Sequence, residues 1–477
     1  MMAGIASYGA YIPYFRLSRA EIGKAWSGRG GPGERAVASY DEDSLTMAVA
    51  AARDCLKGLD RSSVGGLYFA CTTPPYKEKQ SAALIAAVLG LAPEAVTMDF
   101  AGSLRSGTNA LKAALDVVTA GSADNVLVCA ADTRLGNPGG PAESSFGDGA
   151  AALLVSAKNT VADVTQFASR YYEIQDTWRA DTDDFVRSAE DRFAMDEGYG
   201  RVMRDSVSAT LKKAGLEPSD LAHFALNAPN SRQLSGIVKK LGFDEETQVK
   251  DVLQSGVGDT GSAASLMSLV AVLERAKSGE KILLASYGNG CDTAVLEATQ
   301  KIGSLKDRRG IQKHLEAKAA LPSYNKYLRW RGLVDFQPPA RPPLEARTPS
   351  PVAQWREVPW ELRLTGTKCT VCGTAQYPPQ RVCVECKAKD KMEPYNFQDV
   401  PAKAFSFAHD YVVESADSPV TVTFVDFEGG GRIMCDMTDR DPAAVEVGIP
   451  LEMTFRRLYT VGGIHNYWWK CQPVRCK

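Results

Sequence analysis

Four cysteines fall in two pairs, Cys369 with Cys372 and Cys383 with Cys386, and the ten residues 373–382 separate the pairs. Each Cys-x-x-Cys turn lets two thiolates share one cation, and four thiolates close a tetrahedron that leaves no position for substrate. The spacing predicts a structural metal: zinc, or iron in the same tetrahedral geometry. The other cysteines are scattered singly, which suits a reducing compartment better than a disulfide framework. Imidazole chemistry has four candidates, His223, His314, His409 and His465. The remaining candidates lie in turns that follow apolar, β-rich runs: residues 72–76, 102–107, 227–232, 258–262 and 288–292. Ligands of open α/β sheets sit beyond the carboxyl ends of strands, so these turns are where chemistry is expected.

The elements that must position those turns repeat. In the first half a helix is expected over 41–59, a strand over 65–73, a strand-turn-helix over 96–115 and a strand over 125–133. The second half answers with a helix over 198–215, a strand over 221–230, a strand-turn-helix over 249–273 and a strand over 281–290. Two related α/β halves, about 1–160 and 161–303, follow from that correspondence. Residues 304–335 have a helical pattern that brings Tyr324, Tyr327, Leu328 and Trp330 together, and the proline-dense stretch 336–351 reads as a semi-rigid linker. Beyond it come the cysteine pairs, at 352–396, and short β-rich runs with turn signals, at 397–477. Those runs predict a small barrel.

The chain has 477 residues, 44% hydrophobic and 23% charged, with a formal charge of -2. No basic field argues for nucleic acid or an anionic membrane surface as partner. The opening residues lack a charged region followed by an apolar one, and no run reaches the length of a membrane span. A soluble, cytoplasmic protein is expected.

The opening segment 5–26, the segment 36–52 and the run Ser145-Phe146-Gly147-Asp148-Gly149-Ala150 resemble HMG-CoA synthases and, more distantly, ketoacyl synthase III enzymes. The Cys-x-x-Cys-Gly turn followed by Tyr377-Pro378-Pro379 resembles the rubredoxin-like zinc-ribbon and OB-fold proteins that accompany thiolase-fold enzymes. The resemblance implies an α/β thiolase fold joined to a zinc ribbon and an OB-fold barrel. It also implies a CoA thioester as substrate, a homodimer, and CoA contacts at Arg232 and Trp26.

At the catalytic positions the chain departs from that family. Aligned on Gly107-Thr108, the acylated cysteine is replaced by Leu104, which cannot form a thioester. Asn227 stands where the family has a histidine, Asp259 where ketoacyl synthases have an asparagine, and Thr72-Thr73-Pro74-Pro75 where HMG-CoA synthases carry a glutamate. What remains is a set of donors, the backbone amides at Leu104 and Gly288 with Asn227, plus a carboxylate, Asp259. Donors and a base without a nucleophile suit aldol or retro-aldol chemistry on a β-hydroxyacyl-CoA, with Asp259 taking the hydroxyl proton; a helix N-cap is the competing role for Asp259. Tyr199 is an alternative acid or base. Cys291, in a glycine-rich turn, is either a substitute nucleophile for a Claisen-type synthase or a buried apolar residue. A third possibility is an acyl-CoA-binding subunit without turnover.

Overall fold

The computed structural model describes residues 3–28, 30–251, 253–305, 307–335 and 350–475. The chain divides into two compact units: residues up to Ala38 together with Asp43–Tyr324, and Ser39–Glu42 together with the residues from Asn325 onward. The proline-dense linker expected over 336–351 falls, up to residue 349, outside the described residues.

The first unit is built on a nine-stranded sheet in the order His223–Leu226, Lys281–Tyr287, Gly290–Ala298, Ala162–Tyr171, Gly4–Tyr11, Gly149–Ser156, Asn125–Asp132, Gly66–Ala70, Val96–Phe100. Each half runs outward from the centre with the same sense: two antiparallel pairings, then a parallel one. The duplicated sequence pattern is therefore a duplicated sheet. Strands such as Asn125–Asp132 and Gly149–Ser156 read as unbroken apolar runs because both of their faces are covered.

One expected element differs. The first half ends on Val96–Phe100, but no matching strand follows residue 249 among the described residues. There Lys250 turns left-handed (φ 47°), and Asp251 caps the amides of Leu253 and Gln254, so the chain turns where a strand would extend. The helix expected over 198–215 begins as a π-helical stretch, Ala194–Gly200, before the regular turns of Arg201–Ala214.

Two helices carry the turns of interest. Ser106–Thr119 buries Gly107, Thr108, Leu111 and Leu115, and Ala264–Leu273 is buried along nearly its whole length. They approach closely: a Cβ on Gly107 would lie 2.4 Å from the Ser262 carbonyl, so only glycine fits there.

The second unit contains a three-stranded sheet of Thr365–Cys369, Ala375–Gln376 and Met392–Asn396. A closed five-stranded barrel follows, formed by Ala402–Asp410, Val420–Phe427, Arg432–Met437, Ile464–Pro473 and Pro450–Val461. A charge cluster is buried in this unit. Arg456 meets Glu42 at 2.8 Å and Asp439 at 2.7 Å, and Lys470 meets Asp41 at 3.0 Å. Removing one member strands another in a buried site. Lys470→Met is expected to cost about 3–5 kcal/mol, read as a lower urea midpoint. Burial pushes the Asp41 carboxyl up, but Lys470 and Arg456 outweigh it and hold the group below the ordinary aspartate range. A depressed carboxyl stabilises above its unfolded pKa of about 3.9 and loses that contribution as pH falls through the folded value. The cluster's contribution is thus lost below about pH 4.

Candidate active site

Four turns from both halves of the sheet meet at a cleft of about 170 Å³. Thr72 follows Gly66–Ala70, residues 101–104 follow Val96–Phe100, Arg134 follows Asn125–Asp132, and Asn289 links Lys281–Tyr287 to Gly290–Ala298. Thr177, Trp178, Arg179 and Val186 close the other side. The cleft lies at the carboxyl ends of the strands, as the α/β rule requires.

Leu104 lines this cleft, and its backbone amide donates to no group among the described residues. The Leu104 turn is clamped to the opposite half: Ser103 Oγ donates to the Gly288 carbonyl at 2.8 Å, and Arg105 Nε donates to the same oxygen at 2.9 Å. Arg105 continues into a buried ion pair with Asp292 at 2.9 Å. A Cβ on Gly288 would come within 2.9 Å of the Leu104 nitrogen, which makes glycine obligatory at this contact. The Gly288 amide, however, donates to the Gly290 carbonyl at 3.0 Å. Of the two expected backbone donors, the one at Leu104 has no acceptor among the described residues.

Asp259 is buried, and both of its oxygens are engaged. Oδ2 accepts from Arg134 Nη1 at 3.0 Å and Oδ1 accepts from the Gly261 amide at 3.0 Å. The second bond caps the Gly261 amide locally, although the N-cap residue of the turn Gly261–Ala263 is Thr260, while the first joins Asp259 to a cleft-lining guanidinium. Asn227 uses its side chain on the backbone of Tyr287, donating to the carbonyl at 3.1 Å and accepting from the amide at 2.8 Å. That amide group thus extends the strand pairing and does not line the cleft. Tyr199 is buried: its hydroxyl donates to the Asn227 carbonyl at 3.0 Å, and burial raises its pKa.

Cys291 is fully buried, with its sulfur 3.5 Å from that of Met203, and burial pushes the thiol up to about 12. It borders a different small cavity, next to Ser206 and Thr210. Cys71 is nearer the cleft turns, bonded to Asp132 at 3.4 Å, and burial likewise raises its thiol well above the ordinary range. Arg232 is exposed in the first turn of Ser231–Lys240. Trp26, half-exposed, donates from Nε1 to the Tyr324 hydroxyl at 3.1 Å.

Arg134, Asp132 and Arg179 were missed from sequence. Asp132 accepts from the amides of Thr72 and Thr73 at 2.7 and 2.9 Å with one oxygen and from the Ser262 amide at 2.8 Å with the other, so it ties three turns together. The available signal was Asp132-Thr133-Arg134 at the end of an otherwise apolar strand, where a charge has no reason to sit unless the site uses it.

In the second unit the sulfurs of Cys369, Cys372, Cys383 and Cys386 lie within 4.8 Å of one another. The pairs 369/386 and 372/383 are 3.6 and 3.5 Å apart. A tetrahedron with metal–sulfur bonds of about 2.3 Å has edges of about 3.8 Å, so the four thiols fit a zinc ion. Gly373 and Lys387, both at positive φ, turn the two knuckles by donating back to the carbonyls of Cys369 and Cys383.

The fold and the site define a thiolase-type, ketoacyl-synthase-III-like module followed by a zinc ribbon and an OB-fold barrel. Family models agree. Residues 211–297 match the 3-oxoacyl-[acyl-carrier-protein] synthase III C-terminal domain, 359–393 the ChsH2 rubredoxin-like zinc ribbon domain, and 404–456 the ChsH2 C-terminal OB-fold domain. The hydroxymethylglutaryl-CoA synthase of Pyrococcus furiosus is 31% identical over 340 residues, covering 70% of this chain and 93% of the relative. That of Methanocella arvoryzae is 31% identical over 345 residues, covering 70% and 99%. The chain belongs to the hydroxymethylglutaryl-CoA synthase family. A solved HMG-CoA synthase complexed with CoA shares the fold at a TM-score of 0.64 and 20% identity, over 69% of this chain and 90% of that one. The 3-oxoacyl-(acyl carrier protein) synthase III of Pseudomonas aeruginosa does so at 0.56 and 23%, over 63% and 98%. No described helix is long and apolar enough to cross a membrane.

Proposed function

We propose that this protein makes or breaks a carbon–carbon bond beside a CoA thioester by aldol chemistry, without an acyl-enzyme. What supports this reading is Leu104, which lines the cleft at the position that alignment on Gly107-Thr108 gives the nucleophile, and whose backbone amide donates to none of the described residues. That amide supports an oxyanion or enolate, and such a donor needs no covalent partner. Asp259 is the carboxylate proposed to carry the proton, taking it from the α-carbon to form the enolate and giving it to the new hydroxyl in the condensing direction, with the reverse in cleavage, beside Arg134. The relatives are synthases, which supports the condensing direction. Arg232 and Trp26 are the proposed CoA contacts, and the four cysteines are proposed to hold a structural zinc.

The relatives also favour a second reading, a synthase that condenses acyl groups through a thiol other than the missing one. Burial and the raised thiol of Cys291 weigh against that route, since the thiolate is the nucleophile. One experiment separates the two. Acetyl-CoA is incubated with the protein in D2O; deuterium entering the acetyl methyl with no gain in protein mass is the expected result. A stable acetyl adduct without exchange would establish the synthase instead.

Leu104→Cys supplies the complementary test. A thiol placed two residues before Ser106–Thr119 is favoured as thiolate by the helix dipole, so this variant is expected to gain an acetyl adduct that the parent protein lacks.

A further inference from the structure

Resting on the aldol reading above, we propose that Arg105 and Asp292 are positioning residues: they set the direction of the Leu104 amide, the donor to the thioester oxygen, without touching the substrate. Neither side chain lines the cleft. Asp292, on the strand Gly290–Ala298 of the second half, is 1% exposed. One of its oxygens accepts from Arg105 Nη1 at 2.9 Å and from Ser169 Oγ at 2.6 Å; the other accepts from Thr108 Oγ1 and Asn109 Nδ2, both at 2.7 Å. A carboxylate with four such donors has no acceptor direction left for a substrate proton. Arg105, Thr108 and Asn109 belong to the turn and first helical residues that directly follow Leu104, so what Asp292 holds is the local frame of that amide.

Arg105 carries the hold across to the opposite turn. While Nη1 serves Asp292, Nε donates to the Gly288 carbonyl at 2.9 Å, the oxygen that also receives Ser103 Oγ at 2.8 Å. The residues on both sides of Leu104 are thus tied to one carbonyl, and the amide between them cannot turn independently. A planar guanidinium makes both contacts at a set angle, which one ammonium on a flexible stem does not. Such fixing matters for rate, because an oxyanion donor acts over about 2.7–3.1 Å and a misplacement of about 1 Å costs about 10²-fold. A buried ion pair that served the fold alone could be replaced by apolar side chains of similar volume. Here that replacement would also release the carbonyl that anchors the Leu104 turn.

The test follows acetyl-CoA labelled with heavy carbon in its thioester carbonyl, bound to the full-length protein with its metal, by difference infrared spectroscopy and by deuterium exchange at the methyl group. A hydrogen bond from Leu104 lowers the carbonyl stretching frequency, so the parent protein is expected to hold the band below that of free acetyl-CoA. Loss of Arg105 alone strands Asp292 as a buried charge, so the double variant Arg105→Met/Asp292→Asn is used. Its band is expected to return toward the free position and its maximal exchange rate to fall by about 10²-fold, with KM little changed because the donor strengthens as charge develops. A pair needed only for folding would lower the urea midpoint and leave the band and rate of the folded protein unmoved. Arg105→Lys keeps the charge beside Asp292, and with it the fold, but gives up the fork; its band and rate are expected between those of the parent and the double variant. Should the double variant not fold, the lysine substitution decides alone. A parent-like band and rate in either variant would overturn the inference while leaving the aldol reading in place. A band at the free position in the parent protein, or no binding of acetyl-CoA, would overturn that reading, and the inference with it.

Discussion

Asp259→Asn is expected to slow deuterium exchange and carbon–carbon bond turnover by about 10²- to 10⁴-fold, the range found for losing a positioned acid or base. The variant suits the question because asparagine keeps an oxygen for the Gly261 amide, so the local cap survives. What it loses is the charge that faces Arg134 at 3.0 Å. A cap alone is worth about 0.5–2 kcal/mol of stability and nothing in rate. Single-turnover rates measured together with urea unfolding separate the two roles: a large fall in rate at unchanged affinity for CoA supports the base, while wild-type turnover with altered stability assigns Asp259 to the cap and to Arg134.

The second large effect concerns the metal. Cys369→Ser, or extraction with a strong chelator, is expected to unfold the segment around Thr365–Asn396, because its sheet has three short strands and few buried apolar side chains to hold them. Zinc contributes about 10–16 kcal/mol of apparent binding energy to comparable small sites, far more than such a sheet supplies. One zinc per chain by elemental analysis, and a low-temperature melting transition that appears on chelation and disappears when zinc is restored, are the expected readings. Full thermal stability in metal-free protein would remove zinc from the account.

The two sites were legible in the sequence to different degrees. The cysteine pairs could be read directly, since both knuckles are local: three residues of chain fix each pair, and only the meeting of the two pairs needed the fold. The cleft is not local. Leu104, Arg134 and Asn289 come together because the ends of separate strands converge, and nothing near Arg134 in sequence names Asp259 as its partner. For the same reason Asn227, which looked like a free donor in its turn, is spent on the backbone of Tyr287, sixty residues away. Cys291 looked reactive in a glycine-rich turn, yet it faces Met203 on the inner side of the sheet, because side chains on a strand alternate and residue parity decides which face is met.

By itself, then, the sequence determined the doubled α/β framework and the ribbon and barrel that follow it, and it puts a leucine, Leu104, in the turn where the resemblance expects a cysteine. Each of these is written in periodicity, in short spacing or in the identity of one residue. Tertiary structure alone decided which polar groups at the candidate site are already satisfied. A donor or a carboxylate is available for chemistry only after its hydrogen bonds inside the folded protein have been accounted for, and those partners lie on other strands.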